Sequence, residues 1–237
     1  ADIQSFSSAQ IGALTAIQIA SMTTAQVAAI DVADLATFAT DEIKALTASQ
    51  IAKLTTAQLV GLSTAQVAAI DALDIAALTT AQVVALTTAQ AKALSAAQVA
   101  ALTTAQLQKL EVADFAALTS LAVKGLTAAQ MASLTSAQIQ ALTTAQAAAL
   151  SSAQVVALST AQVVKLEGAD LAALSTAAIA GMSTAQMASL LTDQIDDLST
   201  AQVKAIETTD INVLTTAQMA VLTADQVDAL TTPQLGA

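Results

Sequence analysis

The chain of 237 residues has no cysteine and no histidine, and its seven cationic residues are all lysine. Without histidine or cysteine, the common zinc and copper sites and the Ser-His and Cys-His nucleophile pairs cannot form. The formal net charge of −11 and the lack of arginine disfavour binding to nucleic-acid phosphates or to an anionic membrane surface. We therefore predict no enzymatic activity, no cofactor, no metal site and no nucleic-acid partner.

Aromatic residues are also scarce, at 1% of the chain, although 55% of the residues are hydrophobic and the mean hydropathy is +0.68. Much of this hydrophobic fraction is alanine. Every apolar stretch is interrupted by Thr, Ser, Gln or a charged residue before it reaches the roughly 18 residues that a membrane span requires. The sequence therefore predicts no membrane span.

What the chain does contain is an eight-residue repeat, as in LTTAQVVA at residues 78–85. With the leucine as place one, the series from Phe6 to Leu230 comprises 29 octads, and every place one is Leu, Ile, Met or Phe. Place six is apolar throughout, and place five is Gln in most octads. No insertion or deletion breaks this register. We predict one continuous array over residues 1–237, without an internal boundary, and expect it to be part of a longer array because neither end shows a polar capping repeat.

The polar residues within each octad are spaced like those at the N-terminus of a helix. Place two is usually Thr or Ser and place five, three residues later, is Gln, which is the pattern of a capping box. Places one and six are then the two positions of a hydrophobic staple. In the octad that begins at Leu78, Thr79 would cap the helix, Gln82 would close the box and Val83 would meet Leu78. The fold predicted is an all-α, short-helix solenoid of about 29 octapeptide repeats, each with a capping box and a staple.

Charged residues fit the same helix. Five octads carry acidic residues at places two and five, at the start of the helix, where the positive end of the helix dipole stabilises negative charge. These pairs are Asp31 with Asp34, Asp71 with Asp74, Glu111 with Asp114, Glu167 with Asp170 and Glu207 with Asp210. We expect the acids at place two to act as N-caps. All seven lysines fall at places seven or eight, in the last turn, where we expect them to face solvent.

Two other folds compete with this prediction. In one continuous helix, the leucine stripe would drift by about 80° per octad, so no partner could follow it. A β-solenoid could use Thr-Thr-Ala-Gln-Val as a short strand, but glycine is scarce and alanine is abundant.

The acidic octads also recur along the chain at intervals of several octads. The steps between successive members are five, five, seven and five octads, since they begin at Ile30, Ile70, Leu110, Leu166 and Ile206. This spacing suggests that five octads form one superhelical turn and that the acidic octads line one side.

No residue is predicted to be catalytic, to bind a cofactor or to ligate a metal. The paired carboxylates could bind Ca²⁺, but two per octad fall short of the six to eight oxygens it takes. Capping is the more ordinary role for them. The glutamines at place five could form a ladder between stacked turns instead of closing capping boxes, and the Thr and Ser arrays could bind ice or carry glycans instead of capping helices.

LTTAQVVAL at 78–86, LSTAQVVKL at 158–166 and LTAAQMASL at 126–134 resemble octapeptide-repeat regions of large secreted bacterial surface proteins, adhesin-like or filament-forming. Together with the unbroken register, the ends without capping repeats and the lack of catalytic residue types, this resemblance leads us to expect a structural protein that forms or extends an extracellular filament, stalk or matrix fibre through self-association. The alternative is an adhesin-like binding or spacer module that engages a protein or glycan, in either case outside the cell or on its surface. LTTAQVVAL also resembles the first helix of TAL-effector repeats, but their second helix and base-reading loop are missing here, so DNA recognition is not expected.

Overall fold

A computed structural model describes residues 3–236 and contains, in that range, 29 α-helices of four to six residues and no strand. A 3-10 helix covers Ile3–Ser5. The α-helices are α1 (Ser8–Ile11), α2 (Ala16–Ala20), α3 (Thr24–Ala28), α4 (Val32–Leu35), α5 (Thr40–Lys44), α6 (Ala48–Ile51), α7 (Thr56–Gly61), α8 (Thr64–Ala69), α9 (Ala72–Ile75), α10 (Thr80–Ala85), α11 (Thr88–Ala93), α12 (Ala96–Ala101), α13 (Thr104–Lys109), α14 (Val112–Ala117), α15 (Ser120–Lys124), α16 (Ala128–Ser133), α17 (Ser136–Gln140), α18 (Thr144–Ala149), α19 (Ser152–Val156), α20 (Thr160–Val163), α21 (Gly168–Ala173), α22 (Thr176–Ala180), α23 (Thr184–Ser189), α24 (Thr192–Asp196), α25 (Thr200–Ala205), α26 (Thr208–Ile211), α27 (Thr216–Ala220), α28 (Ala224–Asp228) and α29 (Thr232–Leu235). The predicted all-α, short-helix solenoid is confirmed.

Extended residues between the helices turn the chain in each octad. Leu86 follows α10 with φ and ψ of −56° and 140°, and its N–H donates to the Val83 carbonyl at 3.3 Å. The next residue, Thr87, is also extended and caps α11. Among the described residues none has a positive φ. The turn therefore needs no left-handed residue, which explains how the fold forms with so little glycine.

Capping boxes start most of the helices, as predicted. The Gln82 N–H donates to Thr79 Oγ1 at 3.2 Å, and the Thr79 N–H donates to Gln82 Oε1 at 2.6 Å. In two octads Ala39 and Leu191 occupy place two and offer no acceptor, so the hydroxyl half of the box is missing. Their backbone N–H groups still donate to the side chain at place five, at 2.7 Å and 2.9 Å respectively.

The acidic octads do not follow the prediction. None of the acids at place two accepts a capping hydrogen bond, which applies to Asp31, Asp71, Glu111, Glu167 and Glu207. The expectation that they act as N-caps is wrong in this respect. In these octads two negative side chains share one helix start and repel each other, and the aspartate at place five is too short to repeat the bonds of a glutamine.

The core is a double row of apolar side chains. Place-six residues such as Val67, Phe115 and Val203 are fully buried, and place-one residues such as Leu94 are nearly so. The two positions of the predicted staple therefore both face the interior. All seven lysines are exposed, as expected: Lys44, Lys53, Lys92, Lys109, Lys124, Lys165 and Lys204. No helix within residues 3–236 has the length and apolar character needed to cross a membrane.

Two compact units make up the chain, one ending at Gly125 and the other starting at Leu126. In each unit, helices three apart in sequence pack together, as α8 does with α11 and α22 with α25. The prediction of one continuous array, without an internal boundary, stays a prediction.

The number of octads in a turn differs from the expected five. Polar contacts between neighbouring turns link residues 28 and 31 positions apart, so a turn takes about 28 residues, or 3.5 octads. The prediction of five octads per turn is wrong. The acidic octads that begin at Ile30, Ile70 and Leu110 are five octads apart, which is not a whole number of turns, so they do not line one side.

Candidate functional site: the interface between stacked turns

Gln58 shows how one turn holds the next. Its Oε1 accepts from the Thr55 N–H at 2.8 Å, which closes the capping box of α7. Its Nε2 donates to the carbonyls of Val27 at 3.0 Å and Ile30 at 2.8 Å, one turn earlier in the chain. Gln58 is 2% exposed. A single buried amide therefore joins a helix start to the helix end beneath it.

The same bonds recur through both units. We call this set of contacts the stacking interface: the place-five Nε2, and the carbonyls of place six and the following place one in the preceding turn. Glutamines whose Nε2 donates to one or both of these carbonyls are Gln50, Gln58, Gln66, Gln82, Gln90, Gln98 and Gln106 in the first unit, and Gln154, Gln162, Gln186, Gln194, Gln202, Gln218, Gln226 and Gln234 in the second. The sequence offers the ladder and the capping box as alternatives, and the structure contains both.

This arrangement solves a problem that short helices create. A helix leaves its first N–H groups and its last carbonyls without partners inside the helix, and in helices of four to six residues these groups are most of the backbone. One glutamine satisfies an N–H at the start of its own helix and two carbonyls at the end of another. A buried polar group that makes all its bonds is compatible with a close-packed core.

Aspartate at place five makes a different contact. Asp114 Oδ1 accepts from the Thr88 hydroxyl at 2.7 Å, and Asp170 accepts from the Thr144 side chain. Both threonines are at place three of an octad in the preceding turn. Sequence reasoning missed this pairing. The threonine at place three is visible in the sequence, but it becomes a partner only once the length of the turn is known.

Burial perturbs two of these carboxyl groups. The pKa of Asp74 is raised, mainly by burial and further by the nearby Asp71 charge, against a hydrogen bond from the Ala48 backbone that lowers it. The pKa of Asp170 is raised by burial in the first place. The hydrogen bond from Thr144 opposes that shift, and the charge of Glu167 adds to it. These aspartates are therefore harder to ionise than ordinary surface carboxyls.

Small residues mark a second contact between turns. Place three of one octad lies against place eight of an octad in the following turn, as Ala96 lies against Gly125. A Cβ on Gly125 would lie 2.8 Å from the Ala96 carbonyl oxygen and 2.9 Å from the Ala96 Cβ. A Cβ on Gly168, at place three, would overlap Asp197, at place eight. Glycine thus makes room for the Asp197 side chain at Gly168 and for the close backbone of Ala96 at Gly125.

The terminal turns of the described chain expose what other turns bury. At place six, Met219, Val227 and Leu235 are 37%, 46% and 66% exposed, whereas the same place is almost fully buried in the turns between. In the first turn, Gln10 and Gln18 at place five are exposed. The last described turn therefore presents apolar side chains, and the first presents amides.

The structure gives few other candidate sites. Within residues 3–236 no three carboxylates come close enough together to hold a metal ion. An open depression of about 620 Å³ lies beside α25, α28 and α29, and Lys204 and Asp228 are its charged residues. The predicted lack of catalytic, cofactor and metal residues stays a prediction.

Comparison with known protein families identifies the repeat. A family model described as the ALTTAQ repeat matches the chain seven times, at residues 1–32, 27–64, 67–104, 107–144, 140–167, 163–200 and 203–237. No curated protein matches the chain. The matches cover nearly the whole sequence. The chain is a repeat protein and belongs to the ALTTAQ repeat family.

Proposed function

We propose that this chain is a structural repeat module that forms or extends an extracellular filament by end-to-end stacking of copies. One observation carries the proposal. The stacking interface uses the same atoms in octad after octad, from Gln50 to Gln234, so the contact itself sets no limit on the number of turns that stack. A second copy would continue the contact that already holds each unit together.

The two terminal turns are complementary in chemistry. Gln10 and Gln18 lie at place five, and their amides are the groups that donate to a preceding turn elsewhere in the chain. The last turn offers the corresponding carbonyls and the exposed place-six side chains. Burial of apolar surface contributes about 25 cal/mol per Å². Such a contact would be heterologous, the type of contact from which filaments are built.

Charge opposes this assembly. Each copy has a formal net charge of −11, so copies repel one another at low ionic strength. At 0.15 M salt the screening length is about 8 Å, and the short-range stacking contacts then dominate. We expect fibre length to increase between about 10 mM and 150 mM salt.

The test is negative-stain electron microscopy and sedimentation of the purified chain over a dilution series, with a variant pair. Val227→Glu places a charge on the exposed face of the last turn. Leu73→Glu makes a comparable change at an 84% exposed place four, outside the stacking interface. We expect fibres from the unchanged chain and from Leu73→Glu, and short particles from Val227→Glu.

Discrete particles at every concentration of the unchanged chain would overturn the proposal. An adhesin-like binding or spacer module would then be the better function. The observation that favours binding is the set of large apolar side chains exposed at place four, Ile17, Leu73 and Leu121. A binding arm would lose its ligand in Leu73→Glu, whereas a filament subunit would be unaffected.

We also propose that the chain has no enzymatic activity and works outside the cell or on its surface. The lack of histidine and cysteine and the exposure of all seven lysines support the first point, since the Ser-His and Cys-His nucleophile pairs and a buried basic lysine are all missing. The acidity of the chain and its resemblance to secreted octapeptide repeats support the second. Fractionation of the producing cells with an antibody against the chain tests the location.

A further inference from the structure

Asp170 is a buried carboxyl in a place built for an amide. It lies at place five of its octad, in α21, and is 2% exposed. Its Oδ2 atom has no hydrogen-bond partner among the described residues. A buried oxygen without a hydrogen-bond partner destabilises the folded state, so its presence calls for an explanation.

The neighbouring octads show what the position normally does. Gln162 donates to the carbonyls of Met131 at 3.0 Å and Leu134 at 2.8 Å, and Gln186 donates to those of Val155 at 2.9 Å and Leu158 at 2.7 Å. The carbonyls in the same relation to residue 170 are those of Ile139 and Leu142. An ionised aspartate has no proton to donate to them.

The charges around Asp170 disfavour its ionised form. Helix α18, packed against α21, carries no titratable residue. Helix α24, packed on the other side, carries Asp193 and Asp196 and is followed by Asp197, which contacts Gly168. On its own element Asp170 has Glu167 at the N-cap. Lys165, an exposed residue of the preceding octad, is the nearest cation in sequence.

We propose that Asp170 is an acid-responsive contact between stacked turns of the second unit. When ionised, the carboxylate holds the preceding turn only through Thr144. When protonated, it loses the buried charge that disfavours this contact, and Oδ2, which has no partner in the structure, becomes a hydrogen-bond donor. Burial raises the pKa of this group, in agreement with that direction. The inference does not depend on filament formation.

The sign of the effect follows from linkage. A carboxyl whose pKa is higher in the folded chain than in the unfolded chain, where it is about 3.9, destabilises the fold while it is ionised. Stability is therefore gained as the pH falls through the folded-state pKa, and the gain is complete below the unfolded value. Asp170→Gln supplies the amide at every pH, so it removes this part of the pH dependence.

The test compares melting temperatures of the unchanged chain and of Asp170→Gln at pH 7 and pH 4.5. We expect the variant to melt higher at pH 7, and its advantage to shrink by about 2–4 °C at pH 4.5. Asp225→Gln makes the same charge change at an exposed place four and corrects for net charge. An advantage that stays constant or grows on acidification, after this correction, would overturn the proposal.

A direct titration keeps the proposal testable if glutamine does not fit. The chain is labelled with ¹³C at the aspartate carboxyls, and Asp170→Asn identifies the signal that disappears. We expect this signal to titrate with a midpoint above the reference value of about 3.9. In Thr144→Val the midpoint should rise further, because the hydrogen bond that favours the ionised form is gone. A midpoint at or below the reference value would overturn the inference.

Discussion

Replacement of Gln58 by alanine tests whether the stacking interface holds the fold together. The change removes three hydrogen bonds, to the Thr55 N–H and to the carbonyls of Val27 and Ile30, at 2.8–3.0 Å. A typical intramolecular hydrogen bond contributes about 1 kcal/mol net, so the loss is about 3 kcal/mol. The two carbonyls left behind, of Val27 and Ile30, lie in buried contacts, which makes this a lower bound unless water enters the gap.

Urea denaturation followed by circular dichroism measures this loss, and Gln18→Ala is the matched control. Gln18 is exposed and closes a capping box with the Thr15 N–H at 2.8 Å, with no preceding turn beneath it in the described chain. The control should cost about 1 kcal/mol, which is typical for the loss of a cap. If Gln58→Ala costs no more than Gln18→Ala, the bonds between turns contribute nothing and the reasoning is refuted.

Gln58→Glu separates the two roles of the side chain. A glutamate can still accept from the Thr55 N–H, as Glu42 does from the Ala39 N–H at 2.7 Å. When ionised it cannot donate to the two carbonyls of the preceding turn. We expect Gln58→Glu at pH 7 to lose at least as much stability as Gln58→Ala, and to recover part of it at low pH. Equal stability of Gln58→Glu and the unchanged chain at pH 7 would contradict a donor role.

Three further predictions follow from the irregular octads. Leu191→Thr should stabilise the second unit by about 1 kcal/mol, because it supplies the missing cap; thermal melting against Leu191→Ala checks this. Gly125→Ala should cost about 1–3 kcal/mol, because its Cβ would lie 2.8 Å from the Ala96 carbonyl oxygen. Gly12→Ala, where the new Cβ meets nothing nearer than 3.4 Å, should be neutral or slightly stabilising in the same urea titration. Asp74→Asn should raise stability at pH 7 more than at pH 4.5, because burial raises the pKa of Asp74 and its ionisation opposes folding; melting at the two pH values tests this.

Local features of the octad could be predicted from the sequence, and the size of the turn could not. The box between Thr79 and Gln82 joins places two and five of one octad, so its spacing is visible in the chain. The bond from Gln82 Nε2 to the Ile51 carbonyl crosses almost four octads, and no local pattern indicates that distance. The only long-range spacing in the sequence is the five-octad step between acidic octads, and it suggests the wrong turn. The role of Asp114 toward Thr88 is hidden for the same reason.

A repeat this regular raises the question of how the chain avoids stacking one octad out of register. At most octads, a slip by one octad would exchange one Thr-x-x-Gln box for another at almost no cost. Contacts between turns that involve non-consensus residues make the possible registers unequal in energy. In the observed register Asp197 lies over Gly168, and a slip of one octad would place it over Thr160 or Thr176, whose side chains fill the space that the glycine leaves. The departures from the consensus octad therefore select one register among many that the consensus alone would allow.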